Sequence, residues 1–216
     1  MTPAQQRAYD HGWELWGIDY LPEPMDLRNV FGDSKRFILE IGFGMGGSLL
    51  EMARNDPESA YLGIEVHRPG VGRLLMGISE LGVTNLRIMC HDAVEVLERC
   101  ITPGTLDAIQ IFFPDPWPKK RHHKRRLVQL PFVRLAADRL RSGGRLHLAT
   151  DWQPYAEHML QVLEDEKSLR NAHGKNRYAP RPQDRPLTKF EARGRGLGHG
   201  VWDLVFERAA PPPTTS

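Results

Sequence analysis

Short apolar runs alternate along this chain with stretches in which apolar residues recur every three or four positions. The runs at residues 36–39, 60–65, 86–90, 106–113, 145–150 and 200–207 predict strands. Between them, 48–54, 72–81, 93–100, 126–140 and 155–163 predict helices; Pro57 closes the first of these and Pro131 interrupts the fourth. Ser142-Gly143-Gly144 predicts a turn. Such alternation predicts an α/β, doubly wound, mostly parallel sheet with helices on both faces, because each parallel crossover needs a covering helix. Ahead of it, residues 1–32 form a polar arm with a helical pattern over 4–16, in which Trp13 and Trp16 share one face and are expected to pack on the domain. Behind it, 209–216 holds three consecutive prolines and reads as a disordered tail. The domain division is therefore 1–32, 33–208 and 209–216.

Composition narrows the class. With 216 residues, 40% hydrophobic and 26% charged, the chain suits one substantial core. The first 19 residues lack an apolar segment flanked by basic residues, and nowhere do 18 apolar residues follow one another, so a cytoplasmic protein with no membrane partner is expected. Cys90 and Cys100 show no metal-ligand spacing and read as free thiols. Charge is uneven: Lys119-Lys120-Arg121-His122-His123-Lys124-Arg125-Arg126 holds six of the 29 Lys and Arg, leaving 23 against 27 acids elsewhere. A second basic stretch runs from Arg170 to Arg195. Both make a polyanionic partner an expectation.

The chemistry centres on Leu39-Glu40-Ile41-Gly42-Phe43-Gly44-Met45-Gly46-Gly47-Ser48, a glycine turn between a strand and a helix. Bare backbone there lets a cofactor approach, beyond the strand carboxyl ends. Gly42, Gly44 and Gly47 satisfy the dinucleotide fingerprint, and Glu65 lies 18 residues after Gly47. Glu40, however, stands two residues before the first glycine, where a pyrophosphate would meet like charge. S-adenosyl-L-methionine carries an amino group and a sulfonium and no phosphate, so it suits an acid at this turn better.

Acids fall at successive strand ends: Glu40, Glu65, Asp92, Asp115 and Asp151. In a parallel sheet these ends share one rim, so five carboxylates would line one cleft. Asp92 and Asp151 also suit helix N-caps, a role compatible with ligand contact. Glu65 is placed for the ribose hydroxyls of an adenosine, and Asp92 for the adenine amino group. In Phe112-Phe113-Pro114-Asp115-Pro116-Trp117-Pro118, prolines flank Asp115 and hold it in a rigid turn beside an aromatic, which suits a flat heterocycle. The basic run begins at the next residue, Lys119, where a phosphate backbone entering the turn would need cations. His122 and His123 within it have no partner at zinc-like spacing, and no metal is expected.

Together with Gly63-Ile64-Glu65-Val66-His67, His91-Asp92-Ala93, Ala149-Thr150-Asp151-Trp152 and Thr188-Lys189-Phe190-Glu191, these stretches resemble in order the motifs of the bacterial tRNA (guanine-N7-)-methyltransferases, over about residues 4 to 208. The resemblance implies a seven-stranded sheet with its last strand antiparallel and methyl transfer from S-adenosyl-L-methionine to guanine N7 at tRNA position 46. It implies that Glu40, Gly42, Gly44, Glu65, Asp92, Ala93 and Asp115 bind the cofactor or line its site, with Asp115 the catalytic acid. Lys119, Asp151, Thr188, Lys189, Phe190 and Glu191 match substrate positions, and Arg121, His122, His123, Lys124, Arg125 and Arg126 match the RNA-contact segment. An amino-group methyltransferase, a nicotinamide dehydrogenase and a non-catalytic RNA-binding module are the alternatives. The oligomeric state is not legible.

Overall fold

The computed structural model describes residues 1–32, 36–183, 185–186, 191 and 200–210. Its sheet contains β1 (Arg36–Ile41), β2 (Ser59–Ile64), β3 (Leu86–Met89), β4 (Leu106–Phe112), β5 (Leu140–Thr150), β6 (Leu169–Asn171) and β7 (Trp202–Arg208) in the order β3-β2-β1-β4-β5-β7-β6. The first five run parallel, and β7 is antiparallel to both β5 and β6. The mostly parallel sheet expected from the alternation is thus present, with the seven strands and the antiparallel last strand that the resemblance implies. From β1 the chain winds outward through β2 and β3, then crosses back to lay β4 on the other side of β1. Strand order therefore reverses between β1 and β4, the place at which doubly wound sheets take ligands beyond the carboxyl ends of their strands.

Alternate residues of each strand feed two cores. On one face, Ile38, Tyr61 and Ile88 pack with α3 (Gly47–Asn55) through Leu49 and Met52, and with α4 (Arg68–Leu81) through Val71, Leu74, Leu75 and Ile78. On the other, Leu39, Leu62, Ile109 and Leu146 pack with α5 (Ala93–Arg99), α6 (Leu130–Arg139) and α7 (Gln153–Glu164). Leu39, Leu62, Ile109 and Leu146 are fully buried or nearly so, and burial of each such side chain stabilises the fold by about 1.5–3 kcal/mol.

Several boundaries differ from the pattern's reading. Pro131 lies in the first turn of α6, where the missing N–H has no partner to lose, so it starts that helix at residue 130 instead of interrupting one begun at 126. The expected turn at 142–144 is a bulge inside β5: pairing with β4 jumps from Leu140 to Arg145, and Gly143 takes a φ of 75°. The short helix α2 (Leu27–Phe31), capped by Asp26, and the three-residue β6 are too brief to show a period.

The N-terminal arm is docked. Thr2 and Gln5 form a capping box at the start of α1 (Pro3–Trp16), and Trp13 and Trp16 pack on the α3/α4 side of the sheet, as expected. Gly17 then bridges Ile88, and the Ile18 N–H donates to the Ile88 carbonyl at 2.8 Å, so the arm extends the β3 edge. Of the expected tail, residues 211–216 lie outside the described residues.

The contact of α1 with α4 depends on Gly72, where an added Cβ would stand 2.7 Å from the Gln5 carbonyl oxygen. Gly72→Ala is expected to destabilise by about 1–3 kcal/mol through this overlap, exceeding the roughly 1 kcal/mol by which alanine favours a helix. A thermal melt checks this; an unchanged or raised midpoint contradicts it.

Candidate active site

The turn after β1 carries Gly42 and Gly44 at φ of 74° and 59°, conformations that side chains rarely adopt, and nothing stands within 4 Å of where a Cβ would be on either. Bare backbone therefore faces open space. Glu65, following β2, is fixed against this turn: Oε2 accepts from the Gly44 N–H at 2.8 Å, and Oε1 accepts from Val66 and His67 N–H groups at 2.8 and 2.9 Å. An ionised carboxylate has about four lone-pair sites, so acceptor capacity remains for a ligand. Gly70, near the start of α4, lets that helix close on the turn, since a Cβ there would meet the Gly44 carbonyl oxygen at 1.9 Å. The apolar period starts this helix at 72, so the sequence carries no signal for Gly70; the structure begins α4 at Arg68 and places Gly70 in its first turn.

Glu40 is 3% exposed and sits in register with Gly63 of β2 and Gln110 of β4, at the point where strand order reverses. Its Oε2 and the Oε1 of Gln110 are buried without a hydrogen-bond partner. Burial, with the nearby charge of Glu65, pushes the Glu40 carboxyl up from 4.5 to about 8. Two buried acceptors without a donor fit a cationic or N–H-bearing group. They oppose a pyrophosphate, which brings no donor to them and sets further negative charge beside Glu65.

Asp92 caps α5, its Oδ1 accepting from Val94 and Glu95 N–H groups at 2.8 and 3.3 Å, and Ala93 packs half-buried beside it. Over this strand end, Tyr20 of the docked arm stacks on His91 with ring centroids 3.7 Å apart, and His91 Nε2 lies 2.6 Å from Glu95 Oε2. No sequence pattern signalled that the arm reaches this rim. Asp151, half-buried after β5, does not cap α7; that position is Trp152, which makes no side-chain cap bond.

Beyond β4, Phe113 and Trp117 both take left-handed backbone, with φ of 54° and 43°, on either side of Pro114-Asp115-Pro116. Bulky residues in that region cost about 1–3 kcal/mol each and persist only where the surroundings impose them. Here the Phe113 N–H donates to the Ala149 carbonyl at 2.8 Å, and Arg126 Nε donates to the Pro116 carbonyl at 2.8 Å. Asp115 is left exposed at the tip.

The basic run is a 3₁₀ helix over Lys120–Arg125, with exposed Lys119 at its N-cap. Arg121, Lys124 and Arg125 are exposed, whereas His122 and His123 are half-buried. The Arg125 guanidinium stands 5.0 Å from the centre of the Trp117 ring, and His122 meets that ring edge-on at 5.8 Å. Arg126 departs from the expectation that it touches RNA. It is 5% exposed, bonded to Pro116 and packed 4.7 Å over the Tyr155 ring, so its charge faces inward and holds the Asp115 turn.

Glu191, which the resemblance matches to a substrate position, is buried. Its side chain is 0% exposed, with Oε2 accepting from Arg185 at 2.6 Å and Oε1 from Arg181 at 3.0 Å. Thr188, Lys189 and Phe190 lie outside the described residues. The second basic stretch is accordingly not one exposed polycation, since Arg185 is buried within it.

A family model described as a putative methyltransferase matches residues 34–204. The tRNA (guanine-N(7)-)-methyltransferases of Serratia proteamaculans (strain 568) and Yersinia pestis (strain Pestoides F) are each 57% identical to this chain over 208 residues, which is 96% of this chain and 87% of theirs. Among solved structures, the 16S rRNA methyltransferase KamB matches with a TM-score of 0.63 at 14% identity, over 85% of this chain and 93% of its own. An rRNA methylase from Streptococcus thermophilus matches at 0.56 and 14%, over 97% and 99%. At such identities the structural likeness speaks for the fold alone.

Glu40 has a consequence for stability that a melt can read. Its folded-state value of about 8 lies above 4.5, so the native chain keeps a proton that the unfolded chain loses between those pH values. The stability contributed by the neutral carboxyl is therefore full below 4.5 and is lost as pH rises towards 8. Glu40→Gln, neutral throughout, is expected to melt with the wild type near pH 5 and several degrees above it near pH 8.5, at about 2–4 °C per kcal/mol for a chain of this size. Parallel curves for the two proteins contradict this.

Proposed function

The chain belongs to the tRNA (guanine-N(7)-)-methyltransferase family, and on that premise we propose that it transfers a methyl group from S-adenosyl-L-methionine to guanine N7 of tRNA, at position 46 of the variable region. One observation carries the reading beyond family membership. A single continuous segment holds Asp115 in a backbone-locked turn after β4, the neighbour of the strand that ends in the glycine turn, and runs directly into a basic helix whose Arg121, Lys124 and Arg125 are exposed. An acid for the base and cations for the phosphates then lie side by side.

The cofactor supplies an electrophilic methyl group on a sulfonium. Glu40, with its unpaired oxygen, suits the ammonium of the methionine portion, and Gly42 and Gly44 leave room for it. Glu65 suits the ribose hydroxyls, while Asp92 beside Ala93 suits the adenine amino group. Guanine N7 carries an in-plane lone pair and no proton at neutral pH, so these residues need not act as a base. Their work is placement, which can supply about 7–11 kcal/mol when reacting atoms are well held. Positive charge moves onto the purine during transfer, and a carboxylate at Asp115 is felt more strongly there than in the ground state. Lys119, four residues after Asp115, and Asp151, which follows β5, suit the target nucleotide, and Arg121, Lys124 and Arg125, with His122 and His123, suit the RNA backbone. No helix among the described residues is long and apolar enough to cross a membrane, and a cytoplasmic setting suits a tRNA substrate.

Incubation with methyl-labelled cofactor and bulk tRNA, followed by nucleoside analysis, tests the reading. Label in 7-methylguanosine is expected; label on an exocyclic amino group overturns it. Asp115→Ala is expected to lower the single-turnover rate by at least about a hundredfold while cofactor affinity changes little. Near-normal turnover in that variant removes Asp115 from the chemistry.

Salt dependence separates an RNA contact from a solvated face. Each phosphate neutralised contributes about 0.7–0.9 to the slope of log affinity against log salt. Arg121, Lys124 and Arg125 replaced together by Ala are expected to reduce the slope by about two to three units, with cofactor binding intact. Arg126 is kept because it holds Pro116. An unaltered slope assigns the run to solvent.

A further inference from the structure

We propose that Arg185 is a positioning residue for methyl transfer, locking Glu191 to the sheet and bracing the underside of the turn that carries Asp115. This rests on the reading of the site given above. Arg185 is 1% exposed, and its guanidinium grips two carboxylates that are themselves buried. Nε and Nη2 donate to the two oxygens of Asp203 at 2.8 and 3.0 Å, and Nη1 donates to Glu191 Oε2 at 2.6 Å. A planar fork with several fixed donors can meet this geometry; an ammonium cannot.

Each partner leads to one half of the site. Glu191 ends the Thr188-Lys189-Phe190-Glu191 stretch, and its other oxygen accepts from Arg181, whose Nη2 donates to the Arg185 carbonyl at 2.6 Å. Both carboxylate oxygens of Glu191 therefore hold an arginine, which fixes Glu191 in place. Asp203 lies on β7 opposite Ala149 of β5, and also takes His147 Nε2 at 2.8 Å. The same Ala149 carbonyl accepts the Phe113 N–H that begins the Asp115 turn. Above the guanidinium, the Phe112 and Phe113 rings stand 5.9 and 5.7 Å away, within reach of a cation–π contact. One cation thus touches Glu191, Asp203 on the strand paired with Ala149, and the left-handed residue at the start of the turn.

Stability alone does not account for such a cluster, because buried ion networks are often no more stabilising than apolar residues of the same volume. What they impose is a geometry, and here that geometry joins Glu191 to the turn that carries Asp115.

Arg185→Lys keeps the charge and removes the fork. It is expected to fold, to lose about tenfold or more in single-turnover rate, and to bind cofactor within about twofold of wild type by calorimetry. Hydrogen exchange should quicken in a 112–118 peptide and stay unchanged over 40–47. Wild-type turnover and exchange overturn the proposal. So does a loss of rate, cofactor affinity and protection everywhere together, which marks a merely structural role. Should that variant not fold, Glu191→Gln is the second test: lower kcat at unchanged KM for tRNA supports anchoring, whereas a raised KM at unchanged kcat means that Glu191 touches the nucleotide and overturns it. The exchange readout needs no substrate, so a wild type without methyl transfer would refute the proposed reaction while the bracing of the turn is still decided.

Discussion

The reversal of strand order between β1 and β4 is the constraint from which the site follows. At that seam two adjacent strands send their chains to opposite sides, so no crossover covers the space beyond their ends. The glycine turn leaves β1 into this space, and the Phe113–Trp117 turn enters it from β4. Glu40 and Gln110, paired across the seam, put two partnerless acceptors beneath it. A cofactor cleft and a substrate turn are therefore neighbours because the strands that carry them are hydrogen-bonded neighbours.

Charge is sorted around this seam by depth. Inside, the carboxyls of Glu40 and Glu65 lie under the cleft; burial holds Glu40 towards its neutral form, and a bound cation would favour the ionised one. Outside, the Lys120–Arg125 helix offers positive charge to solvent. Arg126 lies at the boundary, where its position at the helix's end turns it inward onto Pro116 and Tyr155. Arginines that look alike in the sequence thus do different work: Arg121 and Arg125 face outward, Arg126 clamps a turn, and Arg185 joins buried carboxylates. Depth decides which, since a guanidinium in water gains little from a single partner and a buried one requires several.

The strain in the Asp115 turn explains why so much surrounds it. Two aromatic residues in left-handed conformations would relax if the segment were free. Backbone bonds from Ala149 and the guanidinium of Arg126 hold it from two sides, and the rings of Phe112 and Phe113 rest near Arg185. Prolines at 114, 116 and 118 reduce the freedom that these contacts must overcome.

Local chemistry let the sequence by itself determine the α/β alternation, the glycine turn, the acids at strand ends and the rigid Pro-Asp-Pro unit, because period, backbone freedom and proline geometry are properties of neighbouring residues. The family resemblance added the antiparallel last strand. Pro131 was misplaced because the same residue that breaks a helix interior begins one equally well, and only the cap at Gln129 distinguishes the cases. Tertiary structure alone decided the rest. Tyr20 meets His91, Gly70 meets the Gly44 carbonyl, and Arg185 meets Asp203 across gaps in sequence that no local period spans. Whether Arg126 or Glu191 faces solvent was likewise set by what packs against it, for burial belongs to the fold and is carried by no residue type alone.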